Sequence, residues 1–361
     1  MTRLIEVLIS LAIVAALFLV ISLVLPSSRH LSEKVETNRQ MTIVYDTLDS
    51  LRRFKDWNPL VLRDPRMQLK LSGPPSGVGA QLDYSSKDPS LGEGSWKIIA
   101  DQPGESVTYA ITNPERGHDK QSKFILRRTG HNGRNIQITQ TYDVSYGWDL
   151  MGRYAGLYVS RHVGDDIKLG LDRLANMLTS VPNVDYRQQG NNLVGFKTVD
   201  TPAENLLVVN AGSIARDPDK LAASMKANVE WIKRSMEASG LTAAGPMRII
   251  STEFGRENYT FDVAQPVQRS GATPTATAPD APMTGLKLQG PVKYVQTKPA
   301  RAATVSYTGY LMGLENVHNA LRAWALTQGL EVADRPYDVY KNGIDQAITD
   351  NGQYDVYWAL K

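Results

Sequence analysis

Cysteine is missing from all 361 residues, which removes disulfides, thiolate metal ligands and a thiol nucleophile together. Histidine is scarce. His30, His118, His131, His162 and His318 stand apart, with no His-x-x-x-His or His-Glu-x-x-His spacing, so neither a metal site nor a cofactor is expected. A Gly-x-Ser-x-Gly elbow is also missing: around Ser95 in GEGSWK, Glu93 and Lys97 occupy both glycine positions. Excess charge of one sign is small. The net charge of +3 is dispersed, without the dense Lys/Arg runs that track phosphates, so nucleic acid is not an expected partner. GPPSGVGA and GEG match neither phosphate-loop spacing, and each lies between two strand-like stretches, so hairpin turns explain them better. Trp57, Trp96 and Trp148 are read as core or cavity wall rather than as a cofactor box.

One long apolar run is present. LIEVLISLAIVAALFLVISLVL is interrupted only by Glu6 and two serines. As helix, Val7 to Leu25 spans about 28 Å, close to the hydrocarbon thickness of a bilayer. A cleavable signal peptide is the alternative, but VLPSSRH offers a poor cleavage site, which favours an uncleaved anchor over residues 1–26. Arg29, Lys34 and Arg39 follow the run and Arg3 precedes it, a bias towards a cytoplasmic body. Long domains translocate largely regardless of such charges. The expected place is a cell inner membrane, with the body on the periplasmic side.

Residues 28–180 read as a short strand, a helix, a strand meander and a long closing helix. Ile43, Val44, Leu48 and Leu51 recur at helical spacing, with Pro59 as a stop. Six strand-like stretches follow. In NIQITQTYDV, Ile136, Ile138, Tyr142 and Val144 share one face, interrupted by Gln140, as in a sheet with one buried side. Ile167, Leu171, Leu174 and Leu178 stripe a final helix over about 164–179.

Several residues carry a resemblance. TLDSLRRFKDWNP (with Trp57 and Pro59), LSGPPSGVGAQLDY and GEGSWKII resemble the START-like superfamily, also labelled SRPBCC or polyketide cyclase/dehydrase. The resemblance implies a helix-grip fold, in which a long C-terminal helix lies across a curved antiparallel sheet around an apolar cavity. Members bind hydrophobic molecules, and many have no demonstrated catalysis. It does not say which residues would line the cavity here.

Residues 190–361 contain an internal repeat. Each half has a strand, a helix ending at Gly-Leu (Gly240-Leu241, Gly329-Leu330), a proline (Pro246, Pro336) and two further strands. Asp217-Pro218 supplies an N-cap with proline at the first helical position. Between the halves, residues 269–285 form a Pro/Ala/Thr-rich spacer expected to be mobile. Two β-α-β-β halves imply a pseudo-twofold, and a cleft between such halves is a natural pocket. ARAATVSYTGYLMGLENVHNALRAWALTQGL and RPYDVYKN resemble the GyrI-like effector-binding domain: Pro299, Ala303 and Gly309 fit its pattern, and Tyr307 stands where a His is usual. No helix-turn-helix segment is read before residue 190, so the resemblance implies ligand binding without DNA recognition.

Tyr-Asp-Val-Tyr occurs twice, at 337–340 and 354–357. With a period of two, and with the valine faces set under the helices, Asp338, Tyr340, Asp355 and Tyr357 would collect on one ligand-facing side. Carboxylates beside phenol rings suit an amphipathic cation. The resembled family has acidic residues in this hairpin that read cationic ligands, and some members hydrolyse cyclopropane-bearing compounds with a Glu beside an aromatic. Asp here sets each carboxylate about 1 Å deeper, a misplacement that can cost a catalyst about 100-fold, so binding is favoured over catalysis. The plainer alternative is a pair of solvated hairpin carboxylates, although two of them facing each other would repel. The sequence therefore predicts an α+β protein: an anchored START-like unit followed by a GyrI-like unit, binding a hydrophobic or amphipathic small molecule as sensor, carrier or scavenger. A hydrolase or cyclase in either cavity is the alternative.

Overall fold

The computed structural model describes residues 2–271 and 282–361, so most of the expected 269–285 spacer lies outside the described residues. The chain is mixed α+β and divides into two compact units, Met1–Val181 and Pro182–Lys361.

Unit 1 opens with helix α1 (Thr2–Val24), whose apolar side chains are almost all exposed. Then come β1 (Ser28–Thr37), α2 (Met41–Asp49), two single-turn helices α3 (Phe54–Trp57) and α4 (Leu60–Arg63), and six strands. These are β2 (Gln68–Ser72), β3 (Gln81–Ser85), β4 (Glu93–Gln102), β5 (Ser106–Thr112), β6 (His118–Thr129) and β7 (Asn135–Ser145), followed by α5 (Leu150–Ala155) and α6 (Val159–Thr179). Helix α3 stops at Trp57, with Asn58 extended before Pro59 as expected, and Pro59 then leads into α4, where its fixed φ suits a helix start. The curled antiparallel sheet runs β1-β7-β6-β5-β4-β3-β2. A bulge between Ile98 and Ala100 on β4 adds to the curl. Helix α6 packs on β1, β7 and α3, burying Ile167, Leu171, Leu174 and Leu178. Gln140 breaks the apolar face of β7 without leaving its amide wholly unpaired, because it donates to Ser122 Oγ on β6 at 3.0 Å.

Unit 2 contains β8 (Leu193–Thr201), β9 (Asn205–Ala215), α7 (Pro218–Ser239), β10 (Leu241–Ala243), β11 (Arg248–Phe254) and β12 (Asn258–Arg269). The second half adds β13 (Lys293–Gln296), β14 (Ala300–Thr308), α8 (Leu314–Thr327), β15 (Tyr337–Tyr340), α9 (Ile344–Ala347) and β16 (Gln353–Ala359). Strand order is β13-β9-β12-β11-β15-β16-β14-β8, with β10 paired to β12. The two halves thus meet where β11 pairs β15, and their order mirrors across that seam. Each half also borrows an edge. Strand β8 precedes β9 in the chain but pairs with β14, and β13 precedes β14 but pairs with β9. Asp217 Oδ1 accepts the Lys220 amide at 2.9 Å at the start of α7, and Gly240 ends that helix in the left-handed region at φ +62°. Leu207, Val209, Ile249, Phe261, Val305, Tyr354 and Val356 form the sheet side of the core, against Leu221, Met225 and Ile232 of α7 and Leu314, Val317 and Leu321 of α8.

Candidate functional site

Period two fixes what lies on the other side of that sheet. Because Leu207 and Val209 point to the helices, Leu206 and Val208 point away, and the same alternation turns Arg248 and Ile250 outward from β11. The sheet curls around this face to leave a groove of about 690 Å³ that takes side chains from both halves and from both borrowed strands. Its volume lies in the range of pockets that hold small organic ligands. Leu206, Val208, Ile250, Val295 and Ala302 give it an apolar floor.

Charges on the groove wall are arranged in pairs, with basic groups in excess. Arg248 is buried and grips Glu204 through both terminal nitrogens, at 2.8 and 2.9 Å. Its guanidinium lies 4.7 Å from the Tyr337 ring centroid, a cation–π contact, and its Nε has no hydrogen-bond partner among the described residues. Tyr337 stacks in turn on Tyr357, with centroids 5.0 Å apart. Burial pushes the Tyr337 phenol up to about 12, against the opposing pull of Arg248. Further along, Arg335 pairs with Asp262 at 3.0 Å, and Asn210 donates to the other Asp262 oxygen at 2.5 Å. Lys293 and Lys298 also line the groove, and neither has a carboxylate partner among the described residues.

The four residues expected to share a ligand-facing side do not. Register pairs Tyr337 with Tyr357, Asp338 with Val356, Val339 with Asp355 and Tyr340 with Tyr354. Residues directly opposite in an antiparallel pair share a face, so Asp338 and Tyr340 point with Val356 into the core beneath the helices. Asp355 and Tyr357 point the other way. Asp338 is 0 % exposed and bonds His318 Nε2 on α8 at 2.7 Å; its other oxygen and the Tyr340 hydroxyl have no partner among the described residues. Burial drives the Tyr340 phenol well above its ordinary value. Asp355 is half-buried and held by Ser306 at 2.7 Å and Lys341 at 3.3 Å. Tyr357 lines a recess shared with Arg248, Glu204 and Tyr337. The signal for the groove was Arg248 itself, a strand residue alternating with Met247 and Ile249. The signal for the buried pair was His318, on the same apolar stripe as Leu314 and Leu321.

Unit 1 leaves far less room. Phe54, Trp57, Trp96, Tyr109 and Phe124 pack edge to face inside the sheet, with centroids 5.2–5.7 Å apart. A cavity beside this cluster measures about 100 Å³, below the roughly 300 Å³ at which ordinary ligand pockets begin. Arg63 and Asp166 form an ion pair in its wall. Burial raises the Asp166 carboxyl, and Arg63 counters it. Trp57 and Trp96 wall this cavity as expected, whereas Trp148 is 82 % exposed and belongs to neither core nor cavity.

No family model matches the chain, and no curated protein matches it. Solved structures similar to it include the EcmrR C-terminal domain, at 16% identity over 46% of this chain and 99% of that one, with a TM-score of 0.35. A norcoclaurine synthase mutant from Thalictrum flavum is 11% identical over 42% of this chain and 95% of that one, at a TM-score of 0.33. Protein CV1439 from Chromobacterium violaceum is 13% identical over 42% and 98%, at 0.30. Likeness of this size carries no inference about activity, and the fold stands on the strand order and register given above.

Proposed function

We propose that this chain is a membrane-held binding protein whose ligand, an amphipathic small molecule with an anionic head, lies in the groove of unit 2. The observation that carries the reading is the groove itself: an apolar floor in a ligand-sized space, edged by Lys293 and Lys298, which have no carboxylate partner among the described residues. An apolar tail gains about 25 cal/mol for each Å² it withdraws from water. A carboxylate or phosphate head meets the two lysines. The cationic ligand expected from clustered aspartates loses its basis, since Asp338 is sealed in the core and Asp355 is already paired. Helix α1 has the length and composition to cross a membrane, as a signal sequence also has, and in this proposal it stays as the anchor. A sensor, carrier or scavenger role is compatible with such a groove.

Thermal unfolding of the full chain in nanodiscs tests this against octanoate, octyl phosphate and octyltrimethylammonium. An anionic probe at 100 times its dissociation constant stabilises unit 2 by about 2.7 kcal/mol, a rise of a few degrees. Lys293→Gln with Lys298→Gln weakens that shift, and Val208→Trp, which fills the groove, abolishes it. An equal shift by the cation, or a shift that survives Val208→Trp, rules the reading out.

A further inference from the structure

After β7, residues 147–158 fold back along the end of α1. Asp149 starts α5 by accepting the Gly152 amide at 2.9 Å. The next turn aims two long side chains at α1. Tyr154 stacks on Phe18, with ring centroids 4.7 Å apart, and donates its hydroxyl to the Phe18 carbonyl at 3.1 Å. Arg153 reaches the carbonyls of Ser22, Leu23 and Leu25 at 3.2–3.4 Å, while its other nitrogens hold Gly147 O at 2.7 and 3.0 Å. Those carbonyls belong to the last turn of α1 and the residue just after it, where a helix lacks internal donors and carries partial negative charge, so a guanidinium is a fitting cap. A cleaved leader would strip Arg153 and Tyr154 of these partners, which supports a retained α1.

The outer side of the same segment is apolar and uncovered. Trp148 is 82 % exposed, Tyr158 62 %, Met151 55 % and Leu157 48 %. Such a patch on a monomeric surface marks a contact. Its neighbour identifies the occupant, because the segment packs on α1, whose own apolar side chains are exposed. Phe18 lies six residues before Val24, about 9 Å along the axis, so Tyr154 meets α1 within its apolar length rather than beyond it. Interfacial segments bury their apolar side about 5–10 Å into the headgroup and acyl boundary, and Trp and Tyr concentrate at that level.

We propose that Trp148–Tyr158 seats in the interfacial layer of a lipid bilayer beside α1, giving unit 1 a second membrane contact. The proposal rests on α1 being a retained anchor. Lipid is the partner: aromatic rings and Met151 meet the acyl boundary, and Arg153 stays on the helix carbonyls rather than bare in the membrane.

The test uses the full chain in vesicles of phosphatidylcholine and phosphatidylglycerol, in two steps. Alkaline carbonate extraction first asks whether the chain remains with the lipid. Tryptophan emission is then recorded with brominated acyl chains, for wild type and Trp148→Phe. Because Trp148 is exposed, that variant should fold like the wild type, which its unfolding midpoint verifies. The expected result is retention, with most of the bromolipid quenching lost in Trp148→Phe. Release by carbonate would overturn the anchor and this proposal together. Retention with equal quenching in both proteins would overturn this proposal alone; shielding of Trp148 from aqueous acrylamide would then point to a protein chain on the patch.

Discussion

His318 and Asp338 sit where neither meets bulk water, so each depends on the other for its polar partner. Removing one leaves the other buried and unsatisfied, a cost of about 3 kcal/mol. Replacing both by apolar side chains removes the desolvation penalty along with the bond. His318→Leu and Asp338→Leu are each expected to lower the stability of unit 2 by about 3 kcal/mol, and the double variant by clearly less than the sum. Denaturant unfolding of the three variants measures the coupling, and strict additivity would sink the idea of a mutually dependent pair. This residue was legible in part. Alternation along YDVY says that Asp338 and Val339 face opposite ways, but not which way the strand is turned. That choice follows from the parity of pairing with β16 and from an imidazole twenty residues back on α8. Neither is a property of the tetrapeptide. A histidine on an apolar stripe was the available warning, since a buried polar ring requires a partner.

Elements were easier to read than their pairing. A strand with one buried face shows period two and a helix shows 3.6, and both signals are local. The Asp217 cap is local as well: a side-chain acceptor immediately before the helix start, followed by proline. Asp217→Ala should cost about 1 kcal/mol of unit 2 stability, read as a lower denaturation midpoint with unchanged slope; no shift would show that water replaces the cap at no cost. The turn between β2 and β3 is explained at the same scale. Gly73 has φ +77°, and a Cβ there would run into the Gly79 carbonyl oxygen, so the glycines of GPPSGVGA serve a tight backbone crossing rather than a phosphate. Strands β8 and β13 were among the omissions. Both are edge strands with much of their surface exposed, which blurs the alternation that marks a half-buried strand. Their partners lie in the opposite half of the repeat, so no local pattern announces them.

Over the whole molecule, space is divided unequally. Unit 1 spends its interior on an aromatic cluster, and unit 2 keeps its interior packed and its outer sheet face hollow. The repeat in the sequence suggested two halves with a cleft between them. The exchange of edges makes those halves one cooperative body instead, because neither completes its sheet without a strand from the other. Asp217→Ala lies in the first half and His318→Leu in the second, yet both should shift the same single transition of unit 2. Two transitions, each answering to one variant, would mean that the halves unfold separately. The exchange also sets a timetable for synthesis. Strand β8 leaves the ribosome first but finds its partner β14 only about a hundred residues later, a wait of roughly 5–20 s at ordinary elongation rates. Throughout that interval its backbone is an unpaired edge, open to any passing strand. A newborn chain stalled before residue 300 would therefore be a sticky intermediate, and a chaperone would find its customer there rather than in the finished protein.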